Sequence, residues 1–91
     1  MTQDKNTDAT CTVAELKDLV RDFIRQRDWE QFHTPKDLGI GLSIEVAELL
    51  EHFRFRSDSE IEARLDQPQY RRKVGHELAD VLYFVLALSN Q

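Results

Sequence analysis

The sequence predicts an all-α fold, an antiparallel bundle of helices. Its 91 residues include only three glycines and two prolines, so it offers few tight turns. Apolar residues recur at helical spacing along most of the chain, and no segment shows the alternation typical of a strand. A chain of this length is expected to form one domain with a modest core, and association between copies would complete the bundle.

The first helix is predicted to begin after Thr12, because Glu15 follows at the spacing of a T-x-x-E capping box. It should end near residues 27–29. The polar residues 1–11 are expected to form a flexible tail, which leaves a single helical domain at residues 12–91.

A second helix is predicted from Pro35 to about Phe53, with Thr34 as its N-cap. Its apolar residues cover more than one face, so we expect it to be largely buried. Gly39 and Gly41 weaken this helix slightly and would allow another backbone to approach.

Two more helices are predicted in the second half of the chain. Ser57 and Glu60 form an S-x-x-E start signal for a short helix over Asp58–Leu65. Pro68 begins the last helix, which should continue to Leu88 or beyond. A stripe along this helix is interpreted as core or dimer interface: Val74, Leu78, Val81, Leu82 and Val85.

Two carboxylate pairs at the same spacing are the most informative feature. Glu45 and Glu48 lie three residues apart on the second long helix, and Glu77 and Asp80 lie three apart on the last one. Residues at this spacing share one side of a helix, so antiparallel packing would bring four carboxylates together. Glu51 lies one step further along the same stripe.

These carboxylates are predicted to form a metal site. No lysine or arginine occurs within residues 37–53 or 74–91 to pair with them. Burying uncompensated carboxylates is costly, and clustering raises their pKa values. A divalent cation removes both difficulties, and oxygen ligands favour Mg²⁺, or alternatively Mn²⁺. One E-x-x-E pair is usually a solvated helix face, but two pairs in apolar helices favour a metal.

Composition argues against several other functions. A net charge of −5 disfavours binding to a nucleic-acid polymer. Cys11 is the single cysteine, which excludes an intrachain disulfide and a cysteine-rich zinc site and fits a reducing compartment. No segment has the length and apolar character of a membrane span or signal peptide, so we expect a cytoplasmic protein without a membrane partner.

The carboxylate motif resembles that of a known family. Glu45-Val46-Ala47-Glu48 followed by Glu77-Leu78-Ala79-Asp80 resembles the E-x-x-E…E-x-x-D signature of the MazG-like, all-α nucleoside triphosphate pyrophosphohydrolases. RDWEQFHTP at residues 27–35 and ELADVLYFVLAL at residues 77–88 resemble the dCTP pyrophosphatase branch. The similarity covers residues 13 to 90.

The resemblance implies an enzyme of nucleotide-pool housecleaning that assembles as a homodimer or homotetramer. Water would attack a nucleoside triphosphate, such as dCTP or a modified dNTP, and release the monophosphate and pyrophosphate. The implied Mg²⁺ ligands are Glu45, Glu48, Glu77 and Asp80. The implied base-pocket residues are Trp29, His33 and Phe55, the last at a position that is commonly Trp. We assign Glu48 the role of orienting or deprotonating the water.

The sequence departs from the family pattern at two places. Phe84 occupies the place of a Tyr that often follows the aspartate by one helical turn, and Tyr83 is beside it. The family usually carries phosphate-binding basic residues in a further C-terminal segment, whereas no lysine or arginine follows Lys73 here. The other candidates for phosphate contact are Arg54, Arg56, Arg71, Arg72 and Lys73.

Other interpretations stay open at this point. Trp29 could close the first helix against the core, and His33 could be a capping or surface residue. His52 and His76 are interpreted as structural. The chain could also be a nucleotide-binding regulator without turnover, or a non-catalytic dimerisation module whose acidic stripes pair with arginines of another subunit. Those arginines would be Arg54, Arg56, Arg64, Arg71 and Arg72.

Overall fold

The computed structural model describes residues 7–91, and this part of the chain contains four α-helices and no strand. The helices are α1 (Val13–Gln26), α2 (Pro35–Glu51), α3 (Asp58–Leu65) and α4 (Pro68–Ser89), with a 3₁₀ turn at Glu30–Phe32. The predicted all-α class is therefore confirmed. Residues 1–6 of the predicted tail lie outside the described residues, and the division at residue 12 stays a prediction.

The first three helices begin at the polar residues that the sequence indicated. The hydroxyl of Thr12 accepts from the backbone N–H of Glu15 at 3.1 Å, and the Glu15 carboxylate accepts from the backbone N–H of Thr12 at 3.4 Å. Thr34 and Ser57 each accept from a backbone N–H in the first turn at 3.3 Å. Such a cap stabilises a helix by about 1 kcal/mol, so local chemistry determines these boundaries.

Helices α2 and α4 run antiparallel, as predicted. Near the start of α2, Gly41 lies against the ring of Phe84, late in α4. Just past the end of α2, His52 packs edge-on against Tyr70, early in α4, with ring centroids 5.9 Å apart. Helix α4 also contacts α1 and α3, so it is the element on which the other three assemble.

The core is small and lies where α1, α2 and α4 meet. Ile24, Leu38 and Ala87 are buried there, one from each helix. Asn90 then ties the end of α4 to α1, because its amide accepts from Arg21 at 3.0 Å and donates to the carbonyl of Lys17 at 2.9 Å. The partly buried residues around the core are Val20, Tyr83, Phe84 and Leu88.

The prediction that α2 is largely buried was wrong for the single chain. Leu38 is its only buried residue, and Ile40 and Ile44 are each 52% exposed. On α4, Leu78 and Leu82 are 52% and 45% exposed. The described chain is flattened, measuring 42 × 41 × 18 Å, and its radius of gyration of 15.8 Å exceeds the roughly 12 Å of a compact domain of this length. A shape this extended leaves part of the apolar surface of α2 and α4 uncovered.

The end of α2 also differs slightly from prediction. The helix ends at Glu51 rather than near Phe53, because the chain then reverses through Phe55 in a left-handed conformation with φ of 62°. The freed carbonyl of His52 accepts from the guanidinium of Arg56 and from the hydroxyl of Tyr70. Side chains therefore satisfy the backbone group that another helical turn would have paired.

The last helix spans 22 residues, as the sequence indicated. Of the predicted apolar stripe, Val74 is buried and Val81 half-buried, whereas Leu78, Leu82 and Val85 are exposed. No helix in residues 7–91 combines the length and the apolar character needed to cross a bilayer. The cytoplasmic location stays a prediction.

The contact between Gly41 and Phe84 leads to a first test. A Cβ built at Gly41 would collide with Cε1 of Phe84 and lie 2.8 Å from its Cζ. We expect Gly41→Ala to lower the free energy of unfolding by about 1–3 kcal/mol, as overpacked cores do. Urea denaturation monitored by circular dichroism would measure the change.

Gly39→Ala is the matched control on the same helix. A Cβ there meets nothing within 4 Å, so alanine should stabilise α2 by up to about 1 kcal/mol. If both substitutions stabilised the protein, the close packing of Phe84 against α2 would be wrong.

Candidate functional site

Three carboxylates converge where α2 faces α4. One oxygen from each of Glu45, Glu48 and Glu77 lies within 4.8 Å of the other two. Oxygens bound to one divalent cation at about 2.1–2.6 Å span the same range of separations. Helical spacing brings Glu45 and Glu48 to one side of α2, and antiparallel packing brings Glu77 opposite them.

Among the described residues, no lysine or arginine forms an ion pair with Glu45, Glu48 or Glu77. One oxygen of Glu45 and one of Glu77, Oε2 in each case, are buried without a hydrogen-bond partner. Burial, followed by the charges of Glu48, Asp80 and Glu77, raises the pKa of Glu45 above its ordinary value. Buried carboxylate oxygens without donors are costly. The residues present therefore fit a hard divalent cation, which would pair with both orphaned oxygens.

Asp80, the fourth predicted ligand, lies beside this cluster rather than within it. Its charge contributes to the raised pKa of Glu45, which places the two carboxylates in the same field. Its side chain borders a neighbouring hollow that Glu45 also borders. Three of the four predicted ligands are thus brought together, and the ligand role of each stays a prediction.

Two neighbours of the cluster make contacts that the sequence did not predict. Glu51 was predicted to lack a basic partner, but it accepts from Arg54 at 2.8 Å, just beyond the window without lysine or arginine. His52, interpreted as structural, places Nε2 3.9 Å from a carboxylate oxygen of Glu77. Its spacing of four residues from Glu48 was the signal that could have placed His52 on the acidic side of α2.

A hollow of about 390 Å³ adjoins the carboxylates. This volume lies within the range of small-molecule pockets, about 300–1,000 Å³. Its lining combines aromatic and imidazole rings with two carboxylates. The residues around it are Phe23, Trp29, His33, Glu45, Asp80, Tyr83 and Phe84.

The aromatic side of the hollow is ordered by ring contacts. The rings of Trp29 and His33 are nearly parallel, at 10°, with centroids 6.0 Å apart. Phe23 meets Trp29 and Tyr83 edge-on at 5.8 and 5.9 Å, and the Arg27 guanidinium lies 3.6 Å from the centroid of Phe23. Trp29 is 40% exposed, so it borders the hollow and does not close the core.

His33 is held from two sides. Its Nε2 lies 2.9 Å from the hydroxyl of Tyr83, and its Nδ1 lies 3.0 Å from the carbonyl of Trp29. A tyrosine hydroxyl is ordinarily protonated at neutral pH, and burial raises the pKa of Tyr83 further. His33 is the C-cap of the 3₁₀ turn at Glu30–Phe32, and both nitrogens of its ring have partners within the protein. The sequence drew attention to Tyr83 only as the neighbour of Phe84, and did not predict this bond.

Phe55, the third predicted pocket residue, lies apart from the other two. It is 91% exposed and borders a second hollow of about 510 Å³ beyond the end of α2. The guanidinium of Arg54 lies 4.5 Å from the centroid of its ring. Within one chain, Trp29 and His33 share a hollow and Phe55 does not.

Comparisons with known proteins agree with this architecture. The chain is 41% identical over 78 residues to dCTP pyrophosphatase 1 of Rattus norvegicus, and 38% identical over the same length to that of Homo sapiens. Each match covers 86% of this chain and 46% of the relative, so the chain spans about half the length of these curated relatives. No family model matches the chain.

The chain also matches a solved structure, and it covers a larger share of that protein than of the curated relatives. The crystal structure of a pyrophosphatase from Archaeoglobus fulgidus has a TM-score of 0.77 and 37% identity to this chain. The match covers 99% of this chain and 79% of the archaeal one. The chain therefore belongs to the MazG-like family of all-α pyrophosphatases, near its dCTP pyrophosphatase branch.

The raised pKa of Glu45 predicts how the metal-free protein responds to pH. Because folding raises this pKa, the folded chain binds the proton more tightly than the unfolded chain does. That contribution to stability is present at low pH and is lost as the pH rises through the raised pKa. We expect Glu45→Gln to stabilise the metal-free protein at neutral pH and to reduce the loss of stability with rising pH.

Urea denaturation in chelator across a pH series would measure this change. Glu62→Gln, on the exposed surface of α3, is the matched control for the loss of one negative charge. A Glu45→Gln protein less stable than the wild type at neutral pH would contradict the inference that the ionised carboxylate of Glu45 destabilises the metal-free fold.

Proposed function

We propose that this protein is a Mg²⁺-dependent nucleoside triphosphate pyrophosphohydrolase. It would convert a (deoxy)nucleoside triphosphate, such as dCTP or a modified dNTP, to the monophosphate and pyrophosphate. The observation that carries the proposal is the pair of buried, unpartnered oxygens on Glu45 and Glu77, beside an aromatic hollow. The likeness to dCTP pyrophosphatases supports the reaction class.

Glu45, Glu48 and Glu77 would hold the metal, with Asp80 reaching it from the hollow. All four offer only oxygen, the ligand that Mg²⁺ prefers, and Mn²⁺ would also fit. When bound, the cation supplies neutralisation of phosphate charge and a lowered pKa for a coordinated water. Without a cation, an acidic pocket would repel a triphosphate, so these residues need a positive charge to admit one.

Glu48 is the carboxylate that we assign to the attacking water. It is the exposed member of the cluster, whereas Glu45 and Glu77 are half-buried. Solvent therefore reaches Glu48 first, and its carboxylate can orient the water and accept its proton. Phosphoryl transfer depends mainly on positioning and charge stabilisation, so no nucleophilic side chain is required.

The aromatic wall is assigned to the base. A base stacked on Trp29 would gain about 1–3 kcal/mol, and the carboxylates of the same hollow would face the metal and the phosphates. Arg54 and Arg56 are already engaged with Glu51 and a backbone carbonyl. Of the basic residues left open, Lys73 lies four residues before Glu77 and so on the same side of α4, which makes it our candidate for phosphate contact.

Association of copies completes this proposal. The exposed stripe of Leu78, Leu82 and Val85 on α4 and the exposed isoleucines of α2 leave apolar surface uncovered in a single chain. A homodimer or homotetramer would cover it. Phe55 borders a separate hollow in its own chain, so it would reach a base pocket only across a subunit boundary.

Turnover tests the proposed function directly. Incubation with Mg²⁺ and a panel of NTPs and dNTPs should yield the monophosphate and pyrophosphate, identified by chromatography. Glu48→Gln should lower kcat by about 100-fold or more, as expected for loss of a general base. Glu62→Gln is the control and should keep wild-type turnover.

The same experiment separates the alternatives. Nucleotide binding without product would indicate a regulator, and neither binding nor turnover, with no Mg²⁺-dependent rise in thermal stability, would indicate a dimerisation module. Either result would refute the enzymatic proposal.

The proposed association can be measured by sedimentation velocity. The wild-type protein should sediment as a dimer or tetramer, and Leu82→Glu should shift it toward a single chain, because a charge would be buried in the interface. Val13→Glu, at another exposed apolar site, is the matched control. A wild-type protein that sediments as a single chain at micromolar concentration would refute this part of the proposal.

A further inference from the structure

The hydrogen bonds of His33 determine which of its nitrogens carries the proton. Nδ1 lies 3.0 Å from the backbone carbonyl of Trp29, and a carbonyl only accepts. Nδ1 must therefore donate and carry a hydrogen. In the neutral ring Nε2 then has no hydrogen and accepts, so the hydroxyl of Tyr83, 2.9 Å away, is the donor.

The hydroxyl of Tyr83 is itself held in place by its surroundings. Its ring meets Phe23 edge-on at 5.9 Å and Phe84 edge-on at 5.2 Å. Tyr83 is also one of the residues packed against the core of the three helices. The donor to His33 is therefore packed against the core formed by α1, α2 and α4.

We propose that Tyr83 is a positioning residue that holds His33 in its Nδ1-protonated tautomer, parallel to Trp29. Both ring nitrogens of His33 are then occupied within the protein, and His33 presents ring surface rather than a free nitrogen to the hollow. That the surface receives a nucleotide base rests on the proposed function.

This arrangement limits how a base can be recognised. The Trp29–His33 pair offers stacking, and hydrogen bonds that distinguish one base from another must come from other groups. The wall is also ordered before a ligand arrives, which reduces the entropy lost on binding. Without the Tyr83 hydroxyl, Nε2 would be left without its donor and the ring could turn.

Tyr83→Phe tests the proposal, with Tyr70→Phe as the matched control. These are the two tyrosines of the chain, and the Tyr70 hydroxyl bonds to the carbonyl of His52 instead. Nitrogen-15 NMR of the imidazoles in the ligand-free protein reports the tautomer, with His33→Gln used to assign the signals. Trp29 is the single tryptophan, so intrinsic fluorescence reports its stacking.

We expect the Nδ1–H form of His33 in the wild type and in Tyr70→Phe. In Tyr83→Phe we expect a smaller population of that form and altered Trp29 fluorescence. In turnover, KM should rise about two- to tenfold in Tyr83→Phe, the value of one hydrogen bond, with kcat within about twofold.

Two results would overturn the proposal: an Nε2–H tautomer of His33 in the wild type, or a Tyr83→Phe protein that matches the wild type in tautomer and KM. The wild-type spectrum decides the first point even if a variant fails to fold. If no variant hydrolyses a nucleotide, the proposed function fails, and the tautomer and fluorescence of the ligand-free proteins still decide the role of Tyr83.

Discussion

The structure depends on a contact between two helices that brings like charges together. Antiparallel packing of α2 on α4 places Glu77 opposite Glu45 and Glu48 and leaves two carboxylate oxygens buried without a donor. A fold that needed only stability would not keep such a cluster, because each unpartnered group costs free energy. This free-energy cost would be removed if a cation bound to the cluster, since the unpartnered carboxylate oxygens would then be its ligands.

The tight part of that contact lies one turn away, at Gly41. A glycine there lets the ring of Phe84 lie against the backbone of α2, which sets the distance between the two helices. The same ring borders the hollow beside Glu45. Helix packing and the shape of the hollow are therefore coupled, and a change of volume at Gly41 would alter both the stability and the site.

Most of the fold could be predicted from local signals, and part of the site could not. Thr12, Thr34 and Ser57 determine helix starts through bonds within one turn, so sequence spacing suffices. The convergence of Glu45, Glu48 and Glu77 followed from helical periodicity plus one assumption about packing. The bond between His33 and Tyr83 joins residues 50 apart in sequence, and no local pattern encodes it. The burial of α2 was mispredicted because hydrophobicity indicates that a face will be covered, but not whether the same chain covers it.

Whether α2 is covered by its own chain or by another copy also bears on the proposed base pocket. Trp29 and His33 share a hollow with Glu45, whereas Phe55 lies beyond the end of α2, 91% exposed and in a left-handed conformation that side chains seldom adopt. Within its own chain the Phe55 ring contacts the guanidinium of Arg54, and most of its surface stays uncovered. Phe55 would gain contact area if a neighbouring copy covered the apolar faces of α2 and α4. That association would also bring Phe55 of one copy to the hollow of Trp29 and His33 in the other. The role predicted for Phe55 therefore requires the association of copies, because in a single chain a base would contact only the wall formed by Trp29 and His33.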